Sequence, residues 1–348
     1  MKLMRRTMMM ATALFLALSV QAQEKTVSVV ANSTMNITTG NGTGKLALYI
    51  SKDWSQPQPA VTRALIICHG KNRDADNYFA SGKKAVSTAH AEETTIVVAP
   101  QFLESQDVTA HQLPPDTLRW GHEQWEGGAD AIGPSPISSF AAFDAILSRL
   151  ADRKLFPHLQ TVVVAGHSGG GQVVQRYAVV GHGEAALTKV GVHVRYIVAN
   201  PSSYVYFTAE RPRPDGSFGP FLGHCSGYNK WKYGIEDPLA YIGSTSFADL
   251  ESTYVHRDVI YLLGDQDTDP NHPALDKTCM AEAEGSYRFQ RGTFYYHYMQ
   301  QRHPKDLAHR AWVVPGVDHD GNGMFNSPCG LTALFDIGSC KTLLPSSN

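Results

Sequence analysis

Seven short apolar runs, separated by more polar segments, punctuate the chain. Most are rich in valine and isoleucine and do not alternate apolar with polar residues, a pattern typical of strands buried on both faces of a parallel sheet. The runs lie at residues 45–50, 64–68, 94–100, 161–166, 194–200, 258–264 and 311–316. They predict a mainly parallel central sheet.

Helical periodicity appears between these runs. The apolar residues of segments 138–153 and 169–181 each fall on one stripe, as in a helix that packs against a core. Ser138 or Ser139 is a natural N-cap for the first of them. Strands that alternate with helices predict an α/β fold with helices on both faces of the sheet.

One long segment, residues 201–256, breaks this rhythm. It is rich in glycine, proline and aromatic residues and has little aliphatic periodicity. An ordered loop of this length is usually functional. We predict that it is a cap-like insertion over the sheet edge, within a single catalytic domain that spans residues 23–348.

The N-terminus has the pattern of a secretory signal peptide. A basic start and a short apolar stretch precede small residues at Val20 and Ala22, which predicts removal of residues 1–22 before Gln23. A membrane anchor is the alternative, but the stretch is short for a span of about 20 residues. We therefore expect a secreted or periplasmic protein with no membrane attachment after cleavage.

Charge and composition narrow the possible partners. The 348 residues carry a formal net charge of −2, and no basic cluster follows the first six residues. These values are ordinary for a globular enzyme and give no indication of a nucleic-acid partner. The sequence leaves the oligomeric state open.

Export changes how the five cysteines are interpreted. Cys68 lies in an apolar run and is predicted to be a buried free thiol. The other four can pair in three ways, and the short separation of Cys329 and Cys340 favours a local disulfide that leaves Cys225 to pair with Cys279. Free thiols are the alternative. The cysteines have no C-x-x-C spacing, so the sequence does not predict a zinc site.

The strongest catalytic motif is the segment AGHSGGG. Gly166, Ser168 and Gly170 form a G-x-S-x-G pattern between a predicted strand and a predicted helix, the context that a nucleophile elbow requires. The alternative is a glycine-rich turn in which Ser168 only caps the helix. A phosphate-binding loop is excluded because the G-K-[ST] ending is missing.

A serine nucleophile needs a base, and the base needs a carboxylate that orients it. With this elbow the acid follows the serine in the chain and precedes the histidine. We predict Asp267, three residues after the apolar run that ends at Gly264. Asp265 is too close to the strand end, and Asp269 suits the turn before Pro270.

The segment VDHDGNG follows the last apolar run and supplies the predicted base, His319. Asp318, Asp320 and Asn322 also have the spacing that begins a calcium-binding EF-hand loop. However, the twelfth position of that loop is Cys329, where a bidentate glutamate is required. We therefore predict a catalytic loop and no metal site.

Two further groups complete the predicted site. The backbone N–H of Gly169 and that of Lys71 or Asn72 are expected to form the oxyanion hole, because both segments follow apolar strands. Trp125 and Tyr204 are candidates for a substrate-binding pocket. The alternative for these aromatics is packing against the sheet.

Together the segments CHGKNRDADNYF, GHSGGG, GDQDTDP and GVDHDG resemble the α/β-hydrolase superfamily over about residues 45–330. The first of them, with Ala75 and Tyr78, is similar to exported esterases of the feruloyl esterase and polyhydroxyalkanoate depolymerase type. The resemblance implies hydrolysis of a small-molecule or polymeric carboxylic ester without a cofactor. A serine peptidase or amidase, and a binding protein with a broken triad, are the alternatives. The insertion departs from the family pattern, so the resemblance does not assign a particular substrate to this chain.

Overall fold

The computed structural model describes residues 25–343. The predicted signal peptide, residues 1–22, therefore lies outside the described residues. Within residues 25–343, no helix is both long and apolar enough to cross a bilayer.

A large mixed sheet forms the centre of the described chain. The strands are β1 Ser33–Thr39, β2 Gly42–Ile50, β3 Arg63–Cys68, β4 Thr95–Gln101, β5 Thr161–His167, β6 His193–Ala199, β7 Glu210–Pro212, β8 Phe218–Pro220, β9 Asp258–Gly264, β10 Arg310–Val314 and β11 Lys341–Thr342. Strands β7 and β8 form a separate hairpin, and the other nine form one sheet in the order β1-β2-β4-β3-β5-β6-β9-β10-β11. All seven predicted strands are present.

The middle of the sheet is parallel, from β4 through β3, β5, β6 and β9 to β10. Strands β1, β2 and β11 join it in antiparallel pairing at the two sides. Consecutive residues of β3, such as Ile66 and Ile67, are both fully buried but belong to apolar clusters on opposite faces. This two-sided burial explains why the strand sequences do not alternate.

Helices cover both faces of the sheet, as predicted. They are α1 Ala75–Thr88, α2 Ser105–Ala110, α3 Ser139–Leu150, α4 Gly169–Val180, α5 Glu184–Lys189, α6 Phe247–Tyr254, α7 Cys279–Glu282, α8 Arg288–Arg302, α9 Gly321–Asn326 and α10 Pro328–Phe335, with short 3-10 turns at Gln124–Gly127 and Ala240–Ile242. Ser138 is the N-cap of α3, since its hydroxyl accepts the Phe140 N–H at 3.1 Å. Every residue of α4 is buried.

The insertion at residues 201–256 is less regular than the sheet, but it is not structureless. It contains the β7–β8 hairpin, and its last residues form helix α6, which packs against α4. The fully buried Arg211 donates hydrogen bonds to the carbonyl oxygens of Tyr228 and Tyr233. Buried guanidinium groups thus take part of the role that aliphatic side chains have in the sheet.

Two disulfides are present in the described chain, in the pairing that the sequence favoured. Cys225 of the insertion is joined to Cys279 of α7, and Cys329 of α10 is joined to Cys340 beside β11. Cys68 is a buried free thiol. The second bridge links α10 to the residue that precedes β11, at the end of the sheet.

Candidate active site

Ser168 stands on a sharp turn between β5 and α4. Its backbone has φ 59° and ψ −121°, a region that L-residues rarely adopt. A side chain at Gly166 would collide with the carbonyl oxygen of Gly170, and one at Gly170 would collide with the carbonyl oxygen of Cys68. Both glycines are therefore required by close backbone approach, which is the geometry of a nucleophile elbow.

The structure brings Ser168, His319 and Asp267 together from three loops at the carboxyl end of the sheet. The Ser168 hydroxyl lies 2.9 Å from His319 Nε2, and His319 Nδ1 lies 2.7 Å from Asp267 Oδ2. Ser168 and Asp267 are 6% and 3% exposed. In the neutral tautomer Nδ1–H donates to the carboxylate, so that Nε2 is free to accept the serine proton.

The neighbouring acids have other roles. Asp265 accepts the Gly316 N–H at 2.7 Å, which ties the loop after β9 to the loop after β10. Asp269 accepts the Asn271 N–H at 2.8 Å within its own turn. Asp320 caps α9 through the Asn322 N–H. These three carboxylates therefore shape turns and the start of a helix, and no cluster of three potential metal ligands occurs within residues 25–343.

An arginine that the sequence analysis did not identify lies behind the acid. Arg288, fully buried at the start of α8, has Nη1 3.4 Å from Asp267 Oδ1, and its Nε donates to the Ser202 hydroxyl at 2.9 Å. Asp267 thus has His319 on one oxygen and Arg288 on the other. The guanidinium compensates the buried carboxylate and holds its orientation.

His319 is surrounded by other imidazoles. The ring of His167 lies 4.5 Å from its ring, and that of His272 lies 4.9 Å away. Burial lowers the pKa of His319, the Asp267 hydrogen bond opposes this, and the positive charge of Arg288 lowers the pKa further. The imidazole consequently stays neutral, and able to act as a base, to a lower pH than an exposed histidine.

The loop after β3 lies beside the elbow. The backbone nitrogen of Lys71 is 3.2 Å from the point where a Cβ on Gly169 would be, so these two backbone groups are adjacent. The buried His69 fixes the loop, because its Nε2 accepts the Phe102 N–H at 2.9 Å and its Nδ1 contacts the Gly70 carbonyl oxygen. Burial lowers the pKa of His69 to about 4, which keeps this imidazole neutral.

Comparisons with solved structures bear on the fold. Poly(aspartic acid) hydrolase-1 from Sphingomonas sp. KT-1 is 22% identical, with a TM-score of 0.54, over 84% of this chain and 96% of that one. LpqC, a poly(3-hydroxybutyrate) depolymerase from Bordetella parapertussis, is 18% identical, with a TM-score of 0.58, over 87% and 90%. This chain has the α/β-hydrolase fold. No family model and no curated protein matches the sequence.

On this α/β-hydrolase fold, a cavity of about 420 Å³ opens beside Ser168. Its wall contains Gly169, Lys71 and, from the insertion, Ser202 and Lys232. Asn72 instead lines a neighbouring groove together with Lys71. Lys71 and Asn72 were both predicted as N–H donors, and of the two Lys71 lines the same cavity as Ser168.

The two aromatic residues proposed as pocket residues are not in the cavity wall. Trp125 is fully buried, with its ring stacked 5.2 Å from that of Phe102. Tyr204 is also fully buried, with its ring stacked 4.5 Å from that of Tyr295. The substrate-binding prediction for both is therefore corrected: their large apolar surfaces stabilise the core, as aromatics do wherever they are enclosed.

The cavity wall is instead polar and carries charges of both signs. Lys232 Nζ lies 3.2 Å from the buried Glu126 carboxylate, and Lys71 Nζ lies 3.7 Å from that of Glu123. Sequence reasoning missed Glu126 and Lys232, because their relation depends on a contact between segments 106 residues apart. Only the position of Glu126 next to Trp125 placed it near a candidate site.

Proposed function

We propose that this protein is an exported serine hydrolase that cleaves carboxylic esters. The observation that carries the proposal is the unbroken hydrogen-bonded chain from Ser168 through His319 to Asp267, placed beside an open cavity. A protein that only bound a ligand would have no need for this alignment, or for the strained backbone that presents the serine.

In the proposed acylation step, His319 takes the proton of the Ser168 hydroxyl through Nε2 while Oγ attacks the ester carbonyl. The backbone N–H groups of Gly169 and Lys71 stabilise the oxyanion of the tetrahedral intermediate. Asp267 stabilises the imidazolium that forms. His319 then gives its proton to the leaving alcohol, and an acyl-enzyme is left on Ser168.

In deacylation, a water molecule takes the place of the alcohol. His319 removes its proton, the resulting oxygen nucleophile attacks the acyl carbonyl, and the proton returns to Ser168 as the acid leaves. Each proton transfer and each charge in this scheme is handled by side chains and backbone groups of the chain itself.

The predicted signal peptide and the two disulfides support export to an oxidising compartment. The structural neighbours are named for hydrolysis of polymers, poly(aspartic acid) in one case and poly(3-hydroxybutyrate) in the other. Both small-molecule and polymeric esters are therefore included among the substrates to be tried. N-terminal sequencing of the exported protein tests the export proposal and should give Gln23 as the first residue.

The activity is tested with p-nitrophenyl esters of increasing acyl length, using residues 23–348 and the same protein with Ser168→Ala. We expect turnover by the native sequence and a loss of about 10⁶-fold in the variant. Folded native protein that turns over no ester contradicts the proposal. Cleavage of a peptide library by such protein would show an amidase instead.

A further inference from the structure

Glu126 is a buried carboxylate beside the nucleophile that the proposed mechanism does not use. It lies in the 3-10 turn Gln124–Gly127, is 2% exposed, and forms part of the cavity wall. Its oxygen Oε2 accepts a hydrogen bond from Gln172 Nε2 at 2.8 Å and pairs with Lys232 Nζ at 3.2 Å. One carboxyl oxygen is therefore fully engaged by the protein.

The other oxygen, Oε1, lies against the backbone of Gly169, one of the proposed oxyanion-hole residues. A methyl group added at Gly169 would collide with Oε1, and the backbone nitrogen of Lys71 lies 3.2 Å from the same point. Oε1 is thus near the two residues, Gly169 and Lys71, whose N–H groups are proposed to hold the oxyanion. A carboxylate here opposes negative charge on the reacting carbonyl, so its presence calls for a favourable contact with another part of the substrate.

The surroundings fix this carboxylate as a hydrogen-bond acceptor. Gln172 is held in orientation by Arg176, whose Nη1 donates to Gln172 Oε1 at 3.2 Å, so the amide nitrogen of Gln172 points to Glu126. Lys232 adds a positive charge on the same oxygen. Burial raises the pKa of Glu126, and Lys232 opposes that effect. The carboxylate is held in one rotamer, with Oε1 left as an acceptor.

We propose that Glu126 is a specificity-determining residue that selects esters of hydroxy acids. Oε1 accepts a hydrogen bond from a hydroxyl group on the acyl chain, close to the carbonyl that Ser168 attacks. A hydroxyl fits better than an ammonium group because Lys232 already neutralises the carboxylate and would repel a second cation. This inference rests on the proposed function and specifies its substrate class.

The first test compares matched esters on the native protein. Hydrolysis of ethyl lactate is measured against ethyl propionate, and ethyl 3-hydroxybutyrate against ethyl butyrate, in a pH-stat. Each ratio is divided by the ratio of the hydroxide-catalysed rates, which removes the inductive effect of the hydroxyl. We expect kcat/KM to favour at least one hydroxylated ester by about tenfold or more, as for a hydrogen bond to a charged acceptor.

The second test changes the acceptor without changing its shape. In Glu126→Gln, the amide oxygen is expected to take the place of Oε2, where Gln172 and Lys232 both donate. The amide N–H₂ then occupies the position of Oε1 and presents donors to the cavity. The hydroxyl can then accept from this N–H₂, but a bond to a neutral group replaces one to a charged acceptor. The preference for the hydroxylated ester should therefore fall by about fivefold, with unsubstituted esters still hydrolysed.

Glu123→Gln is the matched control. Glu123 lies in the same cavity wall and pairs with Lys71 at 3.7 Å, but Glu126, not Glu123, is the carboxylate against Gly169. This variant should leave the hydroxy-to-unsubstituted ratio within about twofold, which is below the effect of a single hydrogen bond.

Three results overturn the inference. They are a native protein that treats both members of each ester pair alike, a Glu126→Gln variant that keeps the native preference, and a stronger preference for the ethyl ester of alanine. If Glu126→Gln does not fold, equal native rates for both members of each ester pair still overturn the inference. The proposed function is tested separately, by ethyl butyrate hydrolysis that is lost in Ser168→Ala. If that hydrolysis is found, the proposed function stands even when one of these three results removes the role of Glu126.

Discussion

The central sheet and the insertion at residues 201–256 are held together in different ways. In the sheet, apolar side chains such as Ile66 and Ile67 are buried on both faces. The insertion also buries apolar side chains, such as Val205 and Phe207, but it and its neighbours add fully buried arginines that donate to backbone carbonyls, hydroxyls and carboxylates. They are Arg176, Arg211, Arg288 and Arg291. The site lies where these two regions meet.

The difference bears on how each region tolerates change. An apolar core loses stability in proportion to the volume removed, and its neighbours relax in part. A buried charge that loses its partner costs about 3–5 kcal/mol, because the remaining ion is left uncompensated. We therefore expect the loops at the strand ends to tolerate loss of a catalytic side chain, and the insertion side to respond to single polar changes.

His319→Ala should have the largest effect on activity. The base is lost while the sheet and its loops remain, so we expect kcat to fall by about 10⁶-fold with a small change in melting temperature. His256→Ala is the control, because His256 is exposed and its ring contacts the Ser252 carbonyl oxygen, away from the triad. Activity within about tenfold of the native value would remove His319 from the mechanism.

Arg288→Met tests the contact between the two regions, because Arg288 is one of the buried arginines and also lies beside Asp267. We expect kcat/KM to fall by about a hundredfold, because the Asp267 carboxylate loses its partner on Oδ1. Arg288→Lys, which keeps the charge, should restore part of the loss. A large rise in KM with unchanged kcat would point to a binding role instead of a positioning role.

The same variant should change the pH profile. The positive charge of Arg288 lowers the pKa of His319, and the neutral imidazole is the active form. Its removal raises that pKa, so the acid limb of kcat/KM against pH should move to higher pH. The other groups around the imidazole, Asp267, His167 and His272, are unchanged. An acid limb that stays in place contradicts the electrostatic role of Arg288.

Removal of each disulfide in turn should have a smaller effect, and the two bridges serve as controls for each other. The Cys225–Cys279 bridge closes 54 residues of chain and ties down the insertion, whereas Cys329–Cys340 closes 11. In the loop-entropy account the longer loop contributes about 1.4 kcal/mol more to the free energy of unfolding. Replacing each pair by serines should therefore lower the melting temperature more for the first pair. Equal effects would contradict the loop-entropy account of these two bridges.

Glu284→Gln should have the smallest effect on activity, and its effect should be on the pH dependence of stability. Burial raises the pKa of the fully buried Glu284 to about 8. The folded state then holds a proton that the unfolded state releases above about 4.5, so this group's contribution to stability falls as pH rises from about 4.5 to 8. Thermal melts across that range should show a decline of several degrees that is weaker in the variant. Parallel curves of melting temperature against pH for the native protein and the variant would contradict this role of Glu284.

Much of the fold is readable from the sequence because burial on both faces leaves continuous apolar runs. The meeting of Ser168, Asp267 and His319 could be predicted because chain order and strand ends favour particular positions for an acid and a base. Their catalytic role stays a prediction. The contacts of Glu126 and Arg288 are not readable, since their partners come from distant segments. Trp125 was misassigned because an aromatic beside a site and one in a core have the same composition. Strand β1 was missed because its residues are mostly polar.

Strand β11 has a consequence for solubility. It covers the free edge of β10 by pairing Thr342 with Trp312 and Lys341 with Val313, and the Cys329–Cys340 bridge lies next to it. An uncovered edge with the sequence RAWVV would offer unpaired backbone groups to a second molecule. We therefore expect the last described residues to limit self-association at this edge, and to do so less well when the neighbouring disulfide is reduced.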